Sequence, residues 1–340
     1  MNIIDIAKLA GVSVATVSRV LNNKGPVRPD TRERVLAVVR EHRYTPNALA
    51  RGLIQNRTGT VGILTVDILN PYYATVTHFA EQRLRELGFT TFLCNTGESR
   101  TEKRSYIKTL MENRVDGLIF VGSTFRSDHS GELIDSTADK VPTVLINGFS
   151  SHANCSSIVC DDEMGIRIAF QHIEPGAQSM LFVGTIRTAS GRRKFRSFRR
   201  FSEIASTNED TVHDSNASRA PRFRTCLTSD HTLERLPDRL DRIYRQSPFD
   251  AAIASDDIFA HAVVSWARTK GVSVPHELRI TGYNDSQIAR FTIPQLTTID
   301  SRMDSLGAIA AERIFSRIKG DCVQNETIVL EPRLKLGGST

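Results

Sequence analysis

The sequence predicts a small all-α N-terminal unit followed by a large α/β core of two doubly wound parallel-sheet lobes. Three observations predict it. Apolar residues recur at helical spacing through about residues 3–43. From about residue 60 the texture changes, and short apolar runs alternate with amphipathic stretches in a βαβ rhythm. Finally, 340 residues exceed one small domain, and the βα units are too many for one small sheet.

The N-terminal elements can be justified in order. Ile3, Ile6, Ala7 and Ala10 form one stripe, which Gly11 stops. Ser13 is placed as an N-cap, and Val14, Val17, Val20 and Leu21 make a second stripe. Pro29-Asp30-Thr31 opens a third helix with Val35, Leu36, Val38 and Val39 inward. Pro46 starts a short segment through Leu53, and Gln55–Gly59 reads as a linker.

In the core, strands are expected at Val61–Val66, Thr91–Cys94, Gly117–Gly122, Thr143–Asn147, Met180–Gly184, Ala251–Ala254 and Arg279–Tyr283. Helices are expected at about 72–87, 101–113, 162–173, 192–206, 231–245, 257–270 and 303–319, and Thr327–Leu330 is expected as the last strand. The expected organisation is therefore a helical unit at 1–45, a joining segment at 46–59 and a core at 60–340. Within the core, one lobe takes about 60–160 plus 291–322, and the other about 161–290 plus 323–340.

Composition excludes several classes. Apolar residues are 40% and charged residues 24%, ordinary for a globular chain. No apolar run approaches the roughly 20 residues that span a bilayer, and MNIIDIAKLAG lacks the pattern of a signal peptide, so a cytoplasmic protein with no membrane partner is expected. Five scattered cysteines (Cys94, Cys155, Cys160, Cys226, Cys322) lack metal-site spacing and read as buried free thiols. No metal or cofactor is expected. Residues 1–60 hold ten Lys/Arg against four Asp/Glu, a net +6 equal to that of the whole chain. The other 280 residues are neutral on balance, so the positive charge sits in the helical unit, as expected for a polyanion partner.

The run DIAKLAGVSVATVSRVLN (5–22) explains that charge. A helix-turn-helix needs a small residue where its helices cross (Ala7), a turn residue tolerant of left-handed geometry (Gly11), and apolar contacts in the turn and second helix (Val12, Val17). The second helix then enters the major groove of double-stranded DNA N-terminus first. Its outward residues are Val14, Ala15, Thr16, Ser18, Arg19 and Asn22. Arg19 can fork onto a guanine edge, Val14 and Ala15 suit thymine methyls, and Thr16 and Ser18 suit phosphates. One such helix reads little DNA, so a homodimer on a pseudo-palindromic operator is expected.

DIAKLAGVSVATVSRVLNN and VRPDTRERVLAVVREHRYTPNALARGL resemble the lactose/galactose-repressor (LacI/GalR) family, as do NPYY (70–73), RVDGLIF (114–120), VPTVLIN (141–147), ASDDIFA (254–260) and ITGYND (280–285). The resemblance implies transcriptional repression by operator binding under a small-molecule effector, a sugar or sugar derivative. It implies that Asn47–Leu53 is a hinge helix and that Leu53 wedges into the minor groove; read alone, Leu53 is a packing residue. The candidate DNA contacts are thus Ser13, Asn47 and Leu53 together with the six outward residues above.

The resemblance also implies a core like that of periplasmic binding proteins, with a cleft between two lobes. Ligands of such sheets sit at strand carboxyl ends. Candidates are Tyr72 and Tyr73 for ring stacking, and Asn147, Asp161, Asp257, Asn284 and Asp285 for hydroxyls, with helix capping the other reading of each carboxylate or amide, Asp257 above all. The family's effector arginine has no counterpart. Lys194 fills that slot, and a lysine lacks the planar fork. Six basic residues within 192–200 leave two readings open, a solvated helix face or an anionic effector.

An enzyme of doubly wound type is disfavoured, since no Gly-x-Gly-x-x-Gly, Gly-x-x-x-x-Gly-Lys-Ser/Thr or Gly-x-Ser-x-Gly occurs, and no catalytic residue is nominated. A pure solute-binding protein is disfavoured by the basic helical unit.

Overall fold

The computed structural model describes residues 1–21, 25–42, 57–126, 131–209, 222–228, 233–321 and 324–340. Two compact units separate at Met1–Gly59 and Thr60–Thr340.

In the first unit, α1 (Ile3–Ala10) is capped by Asn2. The Asn2 amide oxygen accepts from Ile4 N and Asp5 N, while Asp5 accepts from Asn2 N at 2.8 Å. This reciprocal box satisfies amides that the first turn leaves unpaired. Gly11 ends α1 at φ +65°, the left-handed conformation its missing Cβ permits. Then α2 (Val14–Leu21) and α3 (Pro29–Glu41) follow. Ile6, Ala7, Ala10, Val17, Val20 and Val35 are buried together, with Val12, Leu36, Val38 and Val39 packed around them. The apolar stripes read from sequence, apart from the exposed Val14, are therefore the core of this unit.

The second unit holds two six-stranded sheets. The first runs, in spatial order, β11 (Glu326–Leu330), β5 (Cys155–Cys160), β4 (Thr143–Ile146), β3 (Gly117–Val121), β1 (Thr60–Thr65) and β2 (Thr90–Asn95), all parallel. The second runs β12 (Arg333–Lys335), β10 (Thr297–Asp300), β9 (Arg279–Tyr283), β8 (Ala251–Ala254), β6 (Met180–Thr185) and β7 (Phe223–Thr228). It is parallel but for β12, which pairs antiparallel with β10. Central strands such as GLIFV, TVLI and AAIA are buried along their whole length because helices cover both faces.

Helices α4 (Pro71–Glu86) and α12 (Met303–Lys319) pack on each other over one face of the first sheet, around Ile63, Ile119, Leu306 and Ile314. Helices α5 (Arg100–Glu112) and α6 (Gly131–Ala138) supply Ile107, Leu110 and Ile134 to the other face. On the second sheet, α7 (Asp162–Ile173) and α8 (Ala189–Glu209) cover one face with a Phe170–Phe182–Phe198 cluster. Helices α9 (Leu236–Gln246) and α10 (Asp257–Lys270) cover the other, around Trp266 and Phe249. A short α11 (Gln287–Phe291) follows β9.

In each sheet the chain runs outward on one side of its first strand and then reverses: β1 pairs with both β2 and β3, and β6 with both β7 and β8. These reversal points are where ligand crevices form.

Two strands depart from the expected lobe boundaries. The reading of 291–322 as first-lobe chain fails at β10, which lies in the second sheet, and 323–340 as second-lobe chain fails at β11, which edges the first. Thr327–Leu330 is not the last strand, because β12 follows it. The chain crosses between lobes after β5, after β10 and after β11. Alternating apolar residues announce a strand but not which sheet it joins, so the last two crossings are invisible to periodicity. The strands and helices expected from sequence also lack β5, β7, β10, β12, α6 and α11.

Candidate functional site

In the N-terminal unit, α2 is divided. Val17 and Val20 are buried, while Val14, Ala15 and Arg19 are exposed and Thr16 and Ser18 half-buried. Ser13 caps the helix: its hydroxyl accepts from Thr16 N at 3.2 Å and lies 2.9 Å from the Thr16 hydroxyl. Both residues thus hold the helix start, whatever else they touch. Asn22, Asn47 and Leu53, and most of the 46–59 segment, lie outside the described residues.

In the core unit, the carboxyl ends of β1, β3, β6, β8 and β9 converge on a cavity of about 280 Å³ between the lobes. From the first lobe come Asp67, Asn70, Tyr72, Tyr73, Ser123, Asn147 and Cys160. From the second come Thr185, Ser190, Lys194, Ser255, Asp256, Asp257, Tyr283 and Asn284, with Asp162 at the first crossing between them.

Two glycines make room for its aromatic walls. A Cβ on Gly122, which follows β3 at φ +117°, would meet Tyr73 at 2.5 Å. A Cβ on Gly165 in α7 would meet the Tyr283 hydroxyl at 2.3 Å. Burial pushes the Tyr73 phenol up to about 12. Tyr72 is held by Asn147, whose amide donates to the phenol at 2.6 Å and accepts from Cys160 N at 3.0 Å. Asn147 itself sits at φ +58°. Its amide is thereby spent on positioning Tyr72, which leaves the tyrosine as the group that faces the cavity.

The polar centre is a knot around Asp162. Its carboxylate accepts from Ser190 Oγ at 3.0 Å and Arg193 Nε at 2.9 Å, and Lys194 Nζ lies 3.9 Å away. Lys194 donates to the Ser255 carbonyl at 2.9 Å and sits 3.5 Å from the Tyr283 ring centre. Desolvation lowers its pKa, with the Asp162 charge opposing. A cation so enclosed is held by carbonyl, carboxylate and ring face together. Asp256 caps α10, accepting from Phe259 N at 3.0 Å, and desolvation raises its pKa. The lobes are tied across the cleft by Ser190 N donating to Ser123 Oγ at 3.1 Å and by the Arg187–Glu98 ion pair.

Six of the eight expected effector residues line this cavity: Tyr72, Tyr73, Asn147, Lys194, Asp257 and Asn284. Two do not. Asp161 caps α7 through Met164 N at 2.9 Å, and Asp162 takes its place in the cavity. Asp285 is ion-paired with Lys335 at 2.7 Å and Arg290 at 3.5 Å. Asp257 borders the cavity, yet its carboxylate is committed to Ser286 N at 2.7 Å and Thr298 Oγ1 at 2.5 Å. The N-cap is its neighbour Asp256. These offsets of one residue arise because successive side chains at a strand end point to opposite sides. Asp162 and Asp256 were missed for that reason, whereas Ser190 lies in the first turn of α8, away from the strand ends where candidates were sought. Tyr283 stood within the ITGYND motif.

The described cysteines, Cys94, Cys155, Cys160 and Cys226, are buried free thiols. Among the described residues no cluster of His, Cys, Asp and Glu is set to hold a metal, and no helix is long and apolar enough to cross a membrane.

A helix-turn-helix unit joined to a two-lobed α/β core with a polar interlobe cavity defines a ligand-responsive DNA-binding regulator. Residues 2–47 match the model for bacterial regulatory proteins of the lacI family. Residues 58–178 match that for periplasmic binding proteins and the sugar-binding domain of the LacI family, and residues 171–340 a periplasmic binding protein-like domain. The chain is 32% identical over 333 residues to an HTH-type transcriptional regulator of Lachnoclostridium phytofermentans, covering 97% of this chain and 96% of the relative. It is 28% identical over 340 residues to the HTH-type transcriptional regulator DegA of Bacillus subtilis, covering 99% and 97%. Among solved structures, the lac repressor dimer bound to operator and an anti-inducer superposes with a TM-score of 0.84 at 22% identity, covering 100% and 99%. A complex of the transcriptional regulator CelR with cellobiose gives 0.68 at 25% identity over both whole chains. The chain belongs to the lacI family of bacterial transcriptional regulators.

Burial raises Asp257 from its ordinary 3.8 to about 7. The folded state therefore holds this proton more tightly than the unfolded one. Its contribution to stability is full below about 3.8 and is lost as pH rises towards 7. Asp257→Asn, which cannot ionise, is expected to lose less thermal stability than the parent protein between pH 4 and 7. Parallel curves of melting temperature against pH would show that this carboxyl does not titrate there.

Proposed function

We propose that this chain is a repressor that reads a pseudo-palindromic operator as a homodimer, with α2 of each copy in a major groove, and that a small neutral polyhydroxylated effector in the interlobe cavity changes its operator affinity. The observation that carries the DNA reading is the division of α2, with Val14, Ala15 and Arg19 outward over a buried Val17 and Val20. Ser13, Thr16 and Ser18 are assigned to the DNA backbone, and Asn22, Asn47 and Leu53 complete the contact set. The DNA-reading unit is taken as 1–45, and 46–59 as the segment joining it to the core. A homodimer is supported by unpartnered apolar side chains on the core unit: Phe92 and Leu93 on β2, and Phe291 and Ile293, which are 79% and 83% exposed.

The charge of the cavity decides between effector classes. Asp67, Asp162 and Asp256 line the cavity with one buried cation, Lys194, while Asp257 is held by Ser286 and Thr298. An anion would face these carboxylates with a single lysine already held by Asp162 and Ser255. A sugar fits better, with hydroxyls donating to Asp67 and Asp256, and rings against Tyr72, Tyr73 and Tyr283. Like the CelR structure with cellobiose, the protein would then take a neutral carbohydrate. An effector-sensing role rather than catalysis, in the cytoplasm, completes the reading.

In gel-shift titrations Arg19→Ala is expected to lose about 1–3 kcal/mol on the operator and far less on random DNA; equal losses on both would remove base readout from Arg19. In a thermal-shift panel of neutral sugars, sugar phosphates, sugar acids and nucleobases, a neutral sugar is expected to raise the melting temperature, and Lys194→Met to abolish that rise. A response confined to the phosphates or acids would overturn the effector class.

A further inference from the structure

Of the basic run of α8, Lys194 faces the effector cavity, and three of the arginines line another. Arg193, Arg196 and Arg200, at i, i+3 and i+7, share one helix face. They line a second cavity of about 450 Å³, which borders the effector cavity at Cys160 and Asp162. Its opposite wall comes from the first lobe, where Phe149, Val159 and Val329 are apolar, and Phe149 is 42% exposed. The Arg193 guanidinium lies 5.8 Å from the Phe149 ring centre.

The carboxylates of this cavity are already committed. Asp161 caps α7, Asp162 holds Ser190 and Arg193, and Glu163 accepts from Arg200 at 2.7 Å. The guanidiniums are not exhausted. Each carries five N–H donors. Arg200 uses NH1 on Glu163, and Arg196 uses Nε on the Arg192 carbonyl at 3.4 Å. The cavity therefore offers donor-rich arginine forks facing an aromatic and aliphatic wall. Such a pairing recognises a phosphate or carboxylate carried on a planar apolar body.

We propose that this second cavity binds a small aryl- or nucleobase-bearing oxyanion, distinct from the cleft effector. Its anionic group sits on Arg196 and Arg200 and its ring against Phe149. Arg193 is common to this cavity and to the Asp162 knot of the cleft.

The test is calorimetric titration of the full-length protein with phenyl phosphate, inorganic phosphate and phenol as probes. Phenyl phosphate is expected to bind saturably, inorganic phosphate more weakly, and phenol not measurably. Arg196→Ala, at an exposed side chain whose one hydrogen bond is to backbone, is expected to weaken phenyl phosphate about tenfold. Phe149→Ala is expected to bring phenyl phosphate down to the affinity of inorganic phosphate, and Lys194→Met to leave it unchanged. No saturable binding at millimolar concentration would overturn the site, as would binding indifferent to both Arg196→Ala and Phe149→Ala. Loss in Lys194→Met alone would mean that the probe enters the effector cleft, and it too would overturn the proposal.

Discussion

The carboxylate of Asp162 is the tie on which the core unit depends. It stands at the first crossing between lobes, almost wholly buried, and accepts from Ser190 and Arg193 with Lys194 close by. A buried charge without partners would cost several kcal/mol, so these cations are obligatory rather than ornamental. The consequences spread outward. Ser190 also reaches Ser123 in the first lobe through its amide. Lys194 is thereby fixed over Tyr283, whose ring in turn requires Gly165 on the facing helix. One ion cluster thus sets the placement of the cleft cation and of the serine that bridges the lobes.

That arrangement also explains the neutral balance of the core. Its basic run at 192–200 is met by acids on neighbouring elements: Asp162 by Arg193, Glu163 by Arg200, Glu203 by Arg199. The net +6 of residues 1–60 has a different logic, because the N-terminal unit carries ten cations against four acids. There the charge serves a polyanionic surface, with affinity that falls as salt rises. The two units answer different partners, and their charge patterns separate them before any fold is considered.

The helical unit was the most legible part of the sequence. Ile6, Ala7, Ala10, Val17, Val20 and Val35 repeat at helical spacing and form its core, and Gly11 sits where the turn needs left-handed backbone. Eight of the twelve described core strands were legible as apolar runs, β5, β7, β10 and β12 were not, and membership in one sheet or the other was not. β10 and β11 exchange lobes through contacts distant in sequence. In the cleft, residue types were legible and exact positions less so. Asp161 and Asp257 proved to be structural neighbours of the groups that face the cavity, Asp162 and Asp256, because a strand end turns consecutive side chains opposite ways. Asp285 was lost to Lys335, a partner 50 residues away. The basic run could not be placed at all without knowing which face of α8 meets which cavity.

The Asp162 knot binds α8 to α7 and thereby sets Ser190, whose amide bridges to Ser123 of the first lobe beside the effector cavity. Electron–electron distance measurement between spin labels, one in each lobe, tests it directly in the parent protein and in Asp162→Asn. A longer, broader interlobe distance is expected in Asp162→Asn, since a neutral amide cannot hold Arg193, Lys194 and Ser190 as the carboxylate does, and Ser190 then loses its place against Ser123. An unchanged distance distribution in a folded variant would contradict it.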